Sequence, residues 1–451
     1  MLAVGAGACA DLPQCAPPRE HVVELFSWWV EPGEEEAVND LIELHTSSQR
    51  ARGRPTWVNH TTVGSAAQAS YYLWERRFPM LKLLPDVFQA NVGKELRTHA
   101  GTLILPVNAA LDTTPGSVFD SSVLEPASVK PYLYCVPLNI HRVNTLFFNR
   151  TALEKLGIDV NQLSTLAGFE QVCEAIKSQT QAAPIAIGTR DSAWTLSALV
   201  HENILPADVS PDTYRSFWSR SGGTYDWNKL SPSYSRLIRW VRQWVNSDYA
   251  SVHWKTAAER LLLPDDDAHK AFFFVMGDWA HAEFKSAGSR LKTRDVIDSV
   301  PFPGSDAATP PPFVYTADCL ALPRTTLHSG DGMELLKTAA SPEGQLAFSN
   351  KKGSIPARLD ISKEAIKREL GDRGARARDQ LESAMVSQKL LLAVSGYTTR
   401  DELNGLDEQL LLMLEESAKP PNPDNPQGPT EAALKLMFDF WAAKFKKLGV
   451  E

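Results

Sequence analysis

The chain has 451 residues, 43% of them hydrophobic and 22% charged, which excludes a disordered chain and exceeds the size of a single hydrophobic core. Its formal net charge is -8, from 46 Lys and Arg against 54 Asp and Glu with no long block of one sign, which argues against nucleic-acid binding through counterion release. The 12 Trp are the first hint of function, because an indole can grip a flat, partly apolar ligand as well as fill a core.

Residues 1–8 (MLAVGAGA) are small and apolar, Cys9 follows, and a polar stretch runs to residue 19. Two expectations stay open for this 1–19 segment. It is either the end of a bacterial lipoprotein signal, with Cys9 the lipidated residue, or a flexible tail. The 5 Cys are odd in number, and their spacing matches neither a disulfide framework nor a metal motif. Cys135, Cys173 and Cys319 are expected as small buried hydrophobes. No run approaches the ~18 apolar residues of a transmembrane helix.

After the tail, 21–27 (HVVELFS) reads as a buried strand, and Gly33 with three acids opens an amphipathic helix to about residue 45. Residues 56–62 alternate like a second strand, 66–84 read as helix, and 85–89 (PDVFQ) as a third strand. Strand–helix–strand–helix–strand at this spacing predicts a parallel, doubly wound sheet with ligands at the carboxyl ends of its strands. Two extended runs flank a polar centre within 132–149, a helix at 151–156 stops at Gly157, and 184–188 form another short strand. Residues 192–255 are predicted helical with loops and hold six Trp. Strands follow at 271–275, 300–304 and 313–323, then mainly helix, with a surface loop at 419–429 (KPPNPDNPQGP). Trp218, Trp240, Trp244 and Trp441 sit at helical spacing and are expected in cores.

The motifs SWW..GE (Ser27, Trp28, Trp29, Gly33, Glu34), PDVFQ, PLNIHRVN…FN, MGDW (276–279), PFPG, an aspartate-containing strand (315–322) and SPEGQLAFSNKKGSIPARLD (341–360) occur in one order along residues 21–360. In that order the chain resembles an extracellular solute-binding protein of a bacterial ABC sugar importer, in the subgroup that includes glucose-binding proteins. The resemblance implies an α/β fold of two lobes, each a doubly wound sheet with flanking helices, joined by a hinge. By analogy lobe 1 is 20–136 plus 319–353, and lobe 2 is 137–318 plus 354–451. It also implies a sugar ligand, closure of the lobes upon it, and docking on a membrane permease. The protein is then periplasmic or otherwise extracytoplasmic, a non-catalytic monomer, with no cofactor.

Trp28 and Trp29 follow the first strand, where adjacent side chains point to opposite faces; at least one is expected to stack on a pyranose ring. Glu34 is either a helix first-turn acid or a ligand hydrogen bonder. Gln89 and Asn91 carry amides that donate and accept, as sugar hydroxyls do. Asn139, His141 and Asn144 lie near the first crossing, His141 being either a structural or a ligand hydrogen bonder and not a metal ligand, and Trp194 is expected to wall the second lobe. Asp278 is the strongest candidate, a carboxylate able to accept two hydroxyls, with Trp279 as a stacking face. The resemblance adds Lys352 in the cleft. Ser395 stands where glucose-binding relatives carry His, which puts glucose in doubt. Two other readings stay open. One is a glycoside hydrolase using Glu34 and Asp278 across the cleft; the other is a binder of another small polar solute on the same fold.

Overall fold

The computed structural model describes residues 21–63, 85–190, 193–219, 227–306 and 311–418. The expected helix at 66–84, the loop at 419–429, Trp441 and the segment with Cys9 lie outside the described residues. In chain order the strands are β1 (Val22–Ser27), β2 (Trp57–Thr62), β3 (Val87–Asn91), β4 (Ser128–Val129), β5 (Tyr132–Leu133), β6 (Val136–Arg142) and β7 (Thr145–Asn149). Then come β8 (Ala183–Ala186), β9 (Ala271–Met276), β10 (Ile297–Pro301), β11 (Phe313–Ala321), β12 (Ile355–Pro356) and β13 (Leu390–Leu392).

One lobe is built on a seven-stranded sheet, in the order β12-β6-β11-β3-β1-β2 with β13 beside β11. The other has a four-stranded sheet, β10-β7-β9-β8. The helix Glu34–Ala51 returns the chain from β1 to β2, which pair in parallel from Val22↔Trp57 to Ser27↔Thr62, and β3 joins β1 on its other side. Its first turn carries Glu34, Glu35 and Glu36 at the positive end of the helix dipole.

The parallel expectation holds for β2-β1-β3 and for β8-β9, but both sheets are mixed. β11 runs antiparallel to β3 and to β6, and β7 runs antiparallel to β9 and β10. These antiparallel strands lie where the chain enters or leaves a lobe, so they are not returned by a crossover helix. β6 and β11 belong to the larger sheet over their whole length, so the positions 136/137 and 318/319 fall within one lobe's strands. The chain leaves that sheet after Arg142 and enters β7 at Thr145.

Alternation assigns the apolar residues. In β7 and β9, Phe148 pairs with Phe273 on the face toward helix Leu166–Gln179, while Phe147 pairs with Phe274 on the face toward helix Ala280–Leu291. All four are fully buried or nearly so, each contributing roughly 2 kcal/mol of transfer free energy. The first lobe's core gathers Val23, Leu25, Phe88, Ile140, Leu320 and Phe348 around the larger sheet. Trp218, Trp240 and Trp244 are buried in the second lobe.

One cysteine expectation is corrected. Cys135 and Cys319 form a disulfide, with Cα atoms 5.7 Å apart, across the junction of β6 and β11. Their separation of 184 positions in the chain hides a proximity that only the strand pairing creates. Cys173 is a free buried thiol, as expected. No helix among the described residues is long and apolar enough to cross a membrane.

Candidate functional site

A cleft of about 600 Å³ lies between the two lobes. From the first lobe it is lined by Trp28, Glu31, Glu34, Asn91, His141, Thr316, Asp318 and Lys352. From the second come Trp194, Glu202, Trp254, Trp279 and Glu283, with Ser395, Arg400 and Asp407 beyond β13. The carboxyl end of β1 delivers Trp28 and Glu31, and the end of β3 delivers Asn91, as the doubly wound rule requires.

The cleft floor is a polar network. Asp318 Oδ1 accepts from Gln89 Nε2 and Asn91 Nδ2, each at 3.2 Å, and its Oδ2 is 3.6 Å from His141 Nε2. Asn139 Nδ2 donates to His141 Nε2 at 2.9 Å, which leaves His141 Nδ1–H to donate to Asp278. The second oxygen of Asp278 accepts from the Arg142 backbone N–H at 3.0 Å. Gln89 also accepts from the Trp28 backbone N–H at 2.9 Å, so the network fixes the chain that presents Trp28.

Beside the floor, Lys352 is buried and ion-paired with Glu34. The aromatic walls stand on both sides. Trp279 meets His141 edge-on at 5.3 Å between ring centroids, and Trp194 lies 6.4 Å from Trp279. Gly277 makes this placement possible, because a Cβ there would sit 2.1 Å from the Trp279 ring. Trp28 is half-buried on the opposite lobe.

The structure therefore sorts the candidates. Trp28, Glu34, Asn91, His141, Trp194, Trp279 and Lys352 line the cleft. Gln89 and Asn139 are buried beneath it and hold its lining residues. Trp29 is a correction: it is fully buried against Phe348, at 4.7 Å between ring centroids, because the pleat that turns Trp28 outward turns its neighbour into the core. Asp278 also departs from expectation. Its carboxylate is engaged in holding the floor, one oxygen accepting from His141 and the other from the Arg142 N–H.

Sequence reasoning noted the aspartate-containing strand 315–322 but did not name Asp318 as a site residue, and it missed Thr316, Glu202 and Asp407. Asp318 left a signal: it is the one charged residue in the largely apolar strand FVYTADCLA. Glu202 and Asp407 sit in unremarked helices, and burial lifts both carboxyls to about 7.

Behind the floor the two crossings are tied together. Asn144 donates to Pro312 O at 2.8 Å and accepts from the Val314 N–H at 3.0 Å. Arg142 reaches Asn144 Oδ1 at 3.1 Å and Pro312 O at 3.1 Å, and its guanidinium lies 4.7 Å from the Phe313 ring. Burial pushes this guanidinium down to about 9, still charged at neutral pH.

A family model described as bacterial extracellular solute-binding protein matches residues 82–370. An uncharacterised ABC transporter extracellular-binding protein of Pyrococcus horikoshii is 24% identical over 80% of this chain and 78% of its own length. The xylose/arabinose-binding protein XacG of Haloferax volcanii is 25% identical over 75% of this chain and 70% of its own. Among solved structures, the bacterial solute receptor AcbH, described with an exclusive preference for β-D-galactopyranose, superposes with a TM-score of 0.74. It does so at 15% identity over 94% of this chain and 99% of its own, a likeness of fold.

Proposed function

The chain belongs to the bacterial extracellular solute-binding proteins, and from that we propose that it binds a neutral mono- or disaccharide between its lobes and delivers it to the permease of an ABC importer. The carrying observation is the lining itself: indoles from both lobes, Trp28 against Trp194 and Trp279, over a floor of Asp318, Asn91, His141 and Lys352. Indole faces match the C–H faces of a sugar ring, and the floor groups match its hydroxyls.

On the first-lobe side of the cleft, charge pairing supports a neutral ligand. Glu34 is paired with Lys352, Glu31 with Lys255, and Asp318 accepts from two amides, so these acids already have partners. XacG is named for pentoses and AcbH for a hexopyranose, which supports a saccharide. The hydrolase reading loses support because Glu34 is held by Lys352 and Asp278 by His141 and the Arg142 N–H. The lobes in this reading are 21–142 with 313–392, and 143–312 with 393–418. The protein works as a monomer outside the cytoplasmic membrane, where the Cys135–Cys319 disulfide would persist, and Cys9 is the residue to examine for lipidation.

Isothermal titration with a panel of mono- and disaccharides tests the reading. One or more is expected to bind in the micromolar range, about -8 kcal/mol, with a change in Trp fluorescence and no release of reducing sugar. A panel in which nothing binds would sink it.

A further inference from the structure

Two carboxyls on the second-lobe side of the cleft have no role in the contacts above. Glu202 lies in the π-helical turn Leu199–Ile204, a wide turn of a kind that recurs at functional sites. Asp407 projects from helix Arg400–Ala418, which packs against helix Trp194–Ala198. Both side chains line the cleft and are 7% exposed.

Their surroundings are specified. Glu202 Oε1 accepts from the Val394 N–H at 3.1 Å, and Tyr214 and Asp407 are its charge neighbours. Asp407 faces the Ser197 hydroxyl on the opposing helix, with Arg400 and Glu408 on its own. His201, in the same turn as Glu202, is satisfied by Ser197 Oγ at 3.0 Å and Tyr234 Oη at 2.9 Å, and burial keeps it neutral by pulling it down to about 3. Asp407 Oδ1 is different: it is buried, on the cleft wall, and without a partner among the described residues. A buried acceptor in that position calls for a donor from the cleft.

We propose, resting on the saccharide reading, that Asp407 Oδ1 accepts a hydrogen bond from a hydroxyl of the bound sugar, with Ser197 and Glu202 setting its position, and that binding releases a proton to solvent from this carboxyl pair. The sugar O–H stays intact and donates. The ionised carboxylate is the stronger acceptor, so the proton the acid carried leaves. Burial is the largest cause that lifts both carboxyls above the ordinary carboxylate range, to about 7.

The sign follows from linkage. A donor from the ligand stabilises the ionised form and lowers its pKa in the complex, so affinity is full above about pH 7 and falls as pH drops through that value.

The experiment titrates glucose, galactose, xylose, arabinose, maltose and cellobiose into the whole chain, calorimetrically, in buffers of differing ionisation enthalpy. For a sugar that binds, release of about 0.5 proton per ligand is expected at pH 7, with affinity falling about tenfold per unit toward pH 5. Asp407→Asn is expected to abolish the release and weaken binding about tenfold. Glu202→Gln, a second variant should the first fail to fold, is expected to reduce the release. A sugar that binds with no proton exchange, and equally well to Asp407→Asn, overturns this proposal and leaves the saccharide reading standing. Failure of every sugar to bind overturns both.

Discussion

Trp28 and Trp29 are neighbours in the chain and opposites in the fold, and a pair of substitutions separates their roles. Trp29 is packed to zero exposure, so Trp29→Ala removes a core side chain and is expected to cost about 3–5 kcal/mol of stability in urea unfolding. Trp28→Ala is expected to leave the unfolding midpoint near that of the unchanged chain and to weaken sugar binding at least tenfold, since it deletes one stacking face. If the two swapped effects, the assignment of faces would be wrong. Only the tandem of Trp residues after an apolar strand was readable in the sequence; which of them faces inward depends on Phe348, more than 300 residues away in the chain. Asp278 makes the same point. Its flanking residues advertise a ligand site, yet its carboxylate serves to hold His141, a partner that only the pairing of β7 with β9 brings near.

Among the elements, β6 and β11 decide most of the site. They carry Asn139, His141, Thr316 and Asp318 at facing positions, with Thr316↔His141 and Asp318↔Asn139 in register. The Cys135–Cys319 bond clamps their far end and closes a loop spanning 184 positions. Replacing both cysteines by Ala is expected to lower stability by about 2–4 kcal/mol, through the greater freedom of the unfolded chain. Because the bond lies behind the floor and not in the cleft, affinity at temperatures well below melting is expected to change less than threefold, read by calorimetry. A large loss of affinity with little loss of stability would contradict this division.

At the scale of the whole molecule the cleft is bridged at its mouth. Lys255 from the second lobe is ion-paired with Glu31 from the first, both about one-third exposed. Elsewhere between the lobes Lys94 reaches Glu402 at 2.7 Å and Glu95 accepts from the Arg400 N–H at 3.0 Å. The Glu31–Lys255 pair joins the two lobes, so on the proposed reading it would favour the form in which they hold the ligand between them. Lys255→Ala is expected to weaken sugar affinity about threefold, in keeping with the modest worth of a partly exposed pair, and mainly by faster dissociation. Stopped-flow Trp fluorescence measures the rate. Added salt is expected to erase the difference between variant and unchanged chain; a difference that persists at 1 M salt would point to packing instead of charge.

The sequence by itself determined the local periods and the ordered motifs. Apolar runs located β1, β3, β7 and β9, acids after Gly33 located the first helix, and the order of SWW, MGDW and KGSIPAR carried the family. These are properties of neighbours in the chain, set by pleat, helix periodicity and capping. The tertiary structure decided the rest: the mixed sheets, the disulfide, the inward turn of Trp29, and the meeting of Asp318 with Gln89 and Asn91. It also brought Glu202 and Asp407 to one wall from helices some 200 residues apart. Each of these depends on strands or helices distant in sequence packing together, and no local pattern encodes which distant surface a buried side chain will meet.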